Sequence, residues 1–226
     1  MAAALPQSRP GLIIGLQCEK RCFSAAKATG KRRPLFGGAA FLETGVRIMA
    51  DYLQQLIDDY EQDILGNVYT FYLSNGETIS FEIKKKNVPH LLGIGKMPLR
   101  QVRGKYANEL YTMLKRGQIT MSHIVSVRDH KEVYKKIMNF HHIINMLHCG
   151  DMVKVVKRIG SLSSSYLLYL DHQPTEIIHL GLAQDSSNNW YPESLLILQR
   201  NVTAYIDNQI PVDIVEMTVT SRQVKK

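Results

Sequence analysis

Histidine is the natural proton donor or acceptor near neutral pH, and this chain offers one in a setting of positive charge. His90 lies in NVPHLLGIGK, a segment punctuated by Pro89, Gly93 and Gly95 and flanked by Lys84, Lys85, Lys86, Lys96 and Arg100. Metal-free cleavage of RNA needs a base for the 2′-hydroxyl, an acid for the leaving 5′-oxygen, and cations or donors around the phosphate. Lys96 and Arg100 would sit beside His90. Lys154, Lys157 and Arg158 lie at or just after the first strand of a C-terminal sheet, and a guanidinium fork suits a phosphate. In NWYPESLLIL, Ser194 offers a hydroxyl donor, and Trp190 and Tyr191 offer rings on which bases can stack. Each residue also has a plain structural reading. His90 would pack on Leu91 and Leu92, the lysines would keep an exposed strand edge soluble, and the aromatics would fill the end of a sheet. His179, inside the apolar run EIIHLGL, reads as a buried histidine with its hydrogen bonds satisfied.

Other chemistries find little support. His141, His142 and His148 lie close together, but no H-E-x-x-H occurs and no carboxylate pair recurs at ligand spacing. No metal and no cofactor is therefore expected. G-x-S-x-G is absent, as is a dinucleotide fingerprint. Gly30-Lys31 is no phosphate loop, because Ala25 stands where the first glycine belongs and Arg32 replaces Ser or Thr. Cys18, Cys22 and Cys149 form no disulfide framework, which points to a reducing cytoplasm.

Charge is unevenly placed along the 226 residues. Residues 1–48 carry +6, while Asp51 to Glu82 holds seven acids and no base. Lys84 to Arg158 holds 16 bases and four acids, a local +12, and the sequence beyond is acidic again. Concentrated positive charge attracts polyanions, so RNA is the expected partner. The plain alternative is a solvated basic surface. No apolar stretch approaches the length of a bilayer span, so no membrane association is expected.

The elements that would position these residues follow from periodicity. Leu53, Leu56, Ile57, Tyr60 and Ile64 make one stripe of a helix from Asp51 to Ile64. Asn67–Leu73 and Glu77–Ile83 flank Ser74-Asn75-Gly76, a strong hairpin signal. Lys84 to Gly104 reads as irregular, and Tyr106 to Lys115 as a short helix closed by Gly117. Asp129 and Glu132 have capping-box spacing. They predict one long helix striped by Val133, Ile137, Phe140, Ile144 and Leu147 and ended by Gly150. Strands are then expected at Met152–Val156, Tyr166–Leu170, Thr175–Leu182, Ser194–Leu198 and Val212–Val219. Helices followed by an antiparallel sheet of about four strands make an α+β domain over residues 49–226. Residues 1–48 lack a sustained period and read as a basic, unstructured extension. A transit-like peptide and translated upstream sequence both fit them, so organellar targeting stays open beside the cytoplasm.

The order NVPHLLGIGK, INML, SYLLYL, EIIHLGL, WYPESLLIL resembles the fourth phage-associated branch of the Barnase–EndoU–colicin–RelE-like nucleases, over roughly residues 50–222. The resemblance implies an α+β fold with helices before an antiparallel sheet. It also implies a metal-independent ribonuclease of a phage, mobile-element or toxin–immunity system. His90 matches the histidine of the family's P-H-L-L-G motif and Ser194 the serine of its Y-P-x-S motif. Leu195-Leu196 stand where aromatics would follow that serine. The expected activity is RNA cleavage by 2′-hydroxyl attack, with His90 and Ser194 catalytic. Lys154, Lys157, Arg158, Lys96, Arg100 and Tyr191 would bind phosphate or RNA. Two alternatives remain: a non-catalytic module that binds RNA or protein, and an accessory protein that counters a host defence. An antitoxin, immunity or host-defence protein is the corresponding partner.

Overall fold

The computed structural model of the chain describes residues 40–157, 162–171 and 175–221. Helix α1 (Ala40–Asp63) leads into a hairpin of β1 (Asn67–Leu73) and β2 (Thr78–Glu82). The helices α2 (Asn87–Leu92), α3 (Ala107–Lys115), α4 (Met121–Val125), α5 (Lys131–Asn139) and α6 (His142–Cys149) follow. The strands β3 (Asp151–Lys154), β4 (Tyr166–Leu170), β5 (Glu176–Gln184), β6 (Trp190–Gln199), β7 (Ile210–Val212) and β8 (Ile214–Ser221) complete the α+β fold expected from the sequence. Among the described residues no helix is long and apolar enough to cross a membrane.

The predicted stripe of α1 is buried from Leu53 to Ile64. Tyr60 Oη donates to the Ile83 carbonyl at 2.7 Å, tying the helix to the end of β2. Gly76, at φ +81°, takes the left-handed turn conformation that the hairpin requires. The helix starts at Ala40 rather than Asp51, so residues 40–48 of the stretch expected to lack structure are helical. Ala40, Leu42, Glu43 and Ala50 favour a helical backbone without an amphipathic stripe, and periodicity alone passes over them. Residues 1–39 lie outside the described residues.

Three further expectations are corrected. NVPHLLGIGK is not irregular: it forms α2 and a 3-10 turn at Ile94–Lys96. Pro89 is accommodated in the first turn of α2, where a missing N–H breaks no helical bond. Gly93, at φ +78°, ends α2 with its N–H on the His90 carbonyl. The single long helix is two. Phe140 N and Ile143 N bond to carbonyls three residues back, at 3.2 and 3.0 Å, which tightens the chain into a turn. The stripe is thereby rephased: Ile143, Met146 and Leu147 are buried, whereas Ile144 is only partly so. The cap position of α5 is His130 rather than Asp129, with no side-chain cap.

The third correction concerns the C-terminal strand. The run Val212–Val219 splits at Asp213, and its halves enter different sheets. β7 joins a five-stranded sheet of order β6-β5-β4-β3-β7, and β8 crosses to make a three-stranded sheet of order β2-β1-β8. The crossing is pinned by Ser74 N on the Asp213 carbonyl (2.9 Å) and Asp213 N on Ser74 Oγ (3.1 Å). The C-terminal sheet therefore has five strands, in keeping with the expected antiparallel sheet of about four.

Register separates the two faces of the five-stranded sheet. Ile178, Leu180 and Leu182 align with Leu170, Leu168 and Tyr166 on one side and with Ile197, Leu195 and Pro192 on the other. Apart from Pro192, this face belongs to the core shared with the helices, Ile197 packing at its margin. The opposite face carries Leu167, Tyr169, Ile177, His179, Gly181, Ala183, Ser194 and Leu196. Leu167, Ile177 and Ala183 are buried there without joining the helical core.

Candidate active site

The second face of the sheet gathers polar groups around a local irregularity of β6. Pro192 cannot donate to a ladder, and β6 is an edge strand, where proline is tolerated. The register steps from Gly181↔Ser194 to Leu182↔Pro192, which leaves Glu193 as the extra residue of a bulge. Bulges re-aim side chains. Glu193 accepts from Ser163 N at 3.1 Å and from the hydroxyls of Ser163 and Ser164. Ser164 is buried against Gly181, where an added Cβ would lie 2.3 Å from its Oγ. Only glycine at 181 lets the segment 162–165 lie this close to β5. Ser165 N continues the contact by donating to the Leu182 carbonyl at 2.8 Å. Ser194 lies opposite Gly181, and Tyr191 lies on the same face opposite Ala183. Both are half-buried.

His179 follows Gly181 on that face, two residues back along β5. It is fully buried, as expected, but its hydrogen bonds are not satisfied: among the described residues neither ring nitrogen has a hydrogen-bond partner. Its neighbours are the rings of Tyr169 and Tyr205, with centroids at 6.1 and 5.7 Å. Burial pushes its pKa down to about 4, partly offset by the nearby Ile177 carbonyl and the charge of Asp171. The expectation of a satisfied core histidine is overturned: among the described residues strand pairing occupies the backbone groups of β5, and the rings of Tyr169 and Tyr205 flank the imidazole without offering it a hydrogen bond.

The remaining candidates are dispersed. Lys154 Nζ pairs with Glu77 at 2.5 Å and lies over the Tyr166 ring at 5.8 Å. It ties the two sheets together on the helical side. The ion pair holds the Glu77 carboxyl below the usual carboxylate range and pushes the Lys154 ammonium up. Its strand is not an exposed edge either, since β3 runs between β4 and β7. Lys157 is exposed, and its backbone is gripped by Gln209, which accepts from Lys157 N at 3.2 Å and donates to Lys157 O at 3.1 Å. Arg158 lies outside the described residues. His90, Lys96 and Arg100 are exposed on the helical layer. His90 does not pack on Leu91 and Leu92, which turn inward while it turns out. Among the described residues no hydrogen bond, ion pair or ring contact joins His90 to Ser194, Lys96 or Arg100. The local +12 is also partly consumed, because Lys115, Lys135 and Lys154 are ion-paired with Glu61, Glu176 and Glu77, acids outside that stretch. Trp190 packs edge-on against Tyr166 at 5.7 Å rather than standing free. No group of three or more His, Cys, Asp or Glu among the described residues could hold a metal ion.

Glu193 and Ser164 were not picked out from the sequence. The available signal was Pro192 inside a strand-like run, which marks an edge or a bulge, and therefore a re-aimed neighbour. As for known proteins, the family model described as phage-Barnase-EndoU-ColicinE5/D-RelE like nuclease4 matches residues 52–223. No curated protein and no solved structure matches the chain.

Proposed function

The chain belongs to the phage-associated Barnase-EndoU-ColicinE5/D-RelE like nuclease family of that model, and from this premise we propose that it is an endoribonuclease cleaving RNA by internal attack of the 2′-hydroxyl. The reaction would take place on the sheet face away from the helices. The observation that carries this reading is Glu193, a carboxylate re-aimed by a bulge, oriented by three donors and next in the chain to Ser194. Glu193 is the general base for the 2′-hydroxyl proton. Ser194 donates to a non-bridging phosphate oxygen, Tyr191 offers a ring to a base, and Lys157, exposed after β3, adds charge for RNA binding away from the reacting phosphate. His90, on the helical layer, takes no part in proton transfer.

The test is purified full-length protein with mixed RNA in EDTA, followed by analysis of product ends. Products with 2′,3′-cyclic phosphates and 5′-hydroxyls are expected. Glu193→Gln should lower the rate by about 10²–10⁴-fold, the scale of one positioned proton-transfer group, while His90→Ala changes it by less than about twofold. RNA that is bound but not cut would replace this reading with a non-catalytic binding module. A large loss in His90→Ala with full activity in Glu193→Gln would move the site to the helical layer.

A further inference from the structure

The segment between Arg200 and Gln209 covers His179, and it is fastened only at its ends. Arg200 N donates to the Thr175 carbonyl at 2.9 Å, and its guanidinium pairs with Asp171 at 2.5 Å. At the other end Gln209 accepts from Val156 N at 2.9 Å and grips Lys157 from both sides. Between them, Ile206 and Asp207 donate to the Thr203 carbonyl and Gln209 N donates to Ile206 O, all within the segment. Among the described residues no hydrogen bond or ion pair joins residues 201–208 to the strands beyond Gln199. Most of these residues are exposed, and the ring of Tyr205, half-buried, lies tilted against that of His179. This is a strap with two anchored ends and a middle held by side-chain packing.

A neutral imidazole carries one donor and one acceptor, and leaving both unpaired in the interior is unfavourable. An aliphatic side chain would serve the closed form better, so a polar one at this position calls for a state in which its nitrogens are used. We propose that His179 is the proton donor to the leaving 5′-oxygen, uncovered when RNA displaces the strap Asn201–Asn208 from the sheet. The assignment rests on the ribonuclease reading above and completes it with the missing acid.

Geometry supports the pairing with Glu193. His179 is one diagonal step from Ser194 on the same face, a separation of roughly 7–8 Å between backbones. A phosphate held at Ser194 would therefore lie between the base and the acid. In the step itself, the Glu193 carboxylate takes the 2′-hydroxyl proton and the 2′-oxygen forms its bond to phosphorus. The bond from phosphorus to the 5′-oxygen breaks, and imidazolium passes its proton to that oxygen. The products are a 2′,3′-cyclic phosphate and a 5′-hydroxyl. Under the closed strap the ring is held neutral by burial, with Asp171 the one charge acting on it among the described residues and Tyr169 and Tyr205 flanking it. Opening the strap returns it to water, where histidine binds a proton near pH 6.5. The acid is thus armed only with substrate in place.

The experiment compares two substrates on the full-length chain. One is an oligoribonucleotide, whose 5′-alkoxide needs a proton to leave. The other is uridine 3′-(4-nitrophenyl phosphate), whose nitrophenolate does not. His179→Leu should slow oligonucleotide cleavage by about 10²–10⁴-fold and nitrophenyl ester cleavage by less than about tenfold. Glu193→Gln should slow both. Equal losses on the two substrates in His179→Leu, or none on the oligonucleotide, overturn the assignment while leaving the ribonuclease reading in place. Wild-type protein that cleaves neither ends both. Proton NMR of the wild-type His179 ring is independent of how the variant folds. A 2′-O-methyl oligoribonucleotide, which binds without reacting, should move its titration midpoint from about 4 toward about 6.5. An unmoved midpoint with RNA bound refutes the uncovering.

Discussion

Replacing His179 by leucine should make the protein more stable and less sensitive to mild acid. In the folded state the imidazole titrates near pH 4, because burial disfavours its charged form. In the unfolded chain it titrates near 6.5. Between these values the unfolded chain binds the extra proton, so the stability of the wild type is whole above about pH 6.5 and falls as pH drops toward 4. The difference between the two pKa values corresponds to about 3 kcal/mol. Leucine has no proton to bind. It also removes two buried nitrogens without partners, a gain of about 1–3 kcal/mol at any pH. Urea unfolding of both proteins from pH 7.5 to 4 checks this directly. The leucine variant should lead at pH 7.5, and its lead should widen by about 3 kcal/mol at pH 4. Glu61, Glu77 and Glu132, whose carboxyls are held low by lysine partners, lose stabilisation in acid as well. Both proteins share that loss, so the difference isolates the histidine. Parallel stability profiles, or a leucine variant weaker at pH 7.5, would show that His179 has partners and refute the reasoning.

Gly181→Ala places a methyl 2.3 Å from Ser164 Oγ, so the hydroxyl must leave Glu193; RNA cleavage should drop at least tenfold while a thermal melt shifts only a few degrees. Tyr60→Phe removes a buried donor from the Ile83 carbonyl, and denaturant unfolding should record a loss of about 1–3 kcal/mol. Lys157→Ala should weaken RNA binding for every sequence alike and reduce the slope of log affinity against log salt by about 1, measured by fluorescence titration. A chain starting at Met49 keeps every buried residue of α1 from Leu53 onward, and its melting temperature should match that of the full chain.

Much of the fold is local, and local features are legible in a linear sequence. Asn75-Gly76 makes its turn wherever the strands go, because the left-handed conformation is open to Gly76 at no steric cost. The stripe of α1 and the apolar runs of β4 and β5 state which side chains must leave water. Helices ahead of strands then leave an α+β arrangement as the packing solution, and the ordered motifs carried the family over nearly the whole matched length. His90 and Ser194 were also visible as residue types in suggestive company.

Which groups meet was decided only by the tertiary structure. Asp213 reads as one polar residue in an apolar run, and the split of that run into two sheets depends on open edges at β3 and β1, far away in sequence. The break after Asn139 rephases a stripe that periodicity had projected onward unchanged. Lys154 reads as a free cation in the sequence, whereas the fold pairs it with Glu77, 77 residues away in the chain. Glu193 became a directed carboxylate because a bulge turned it and two serines from another segment reached it. The solitude of His179 depends on everything packed around it. A sequence shows what a side chain can donate or accept, but whether a partner arrives is settled by the pairing of distant strands and the path of the loops that cover them.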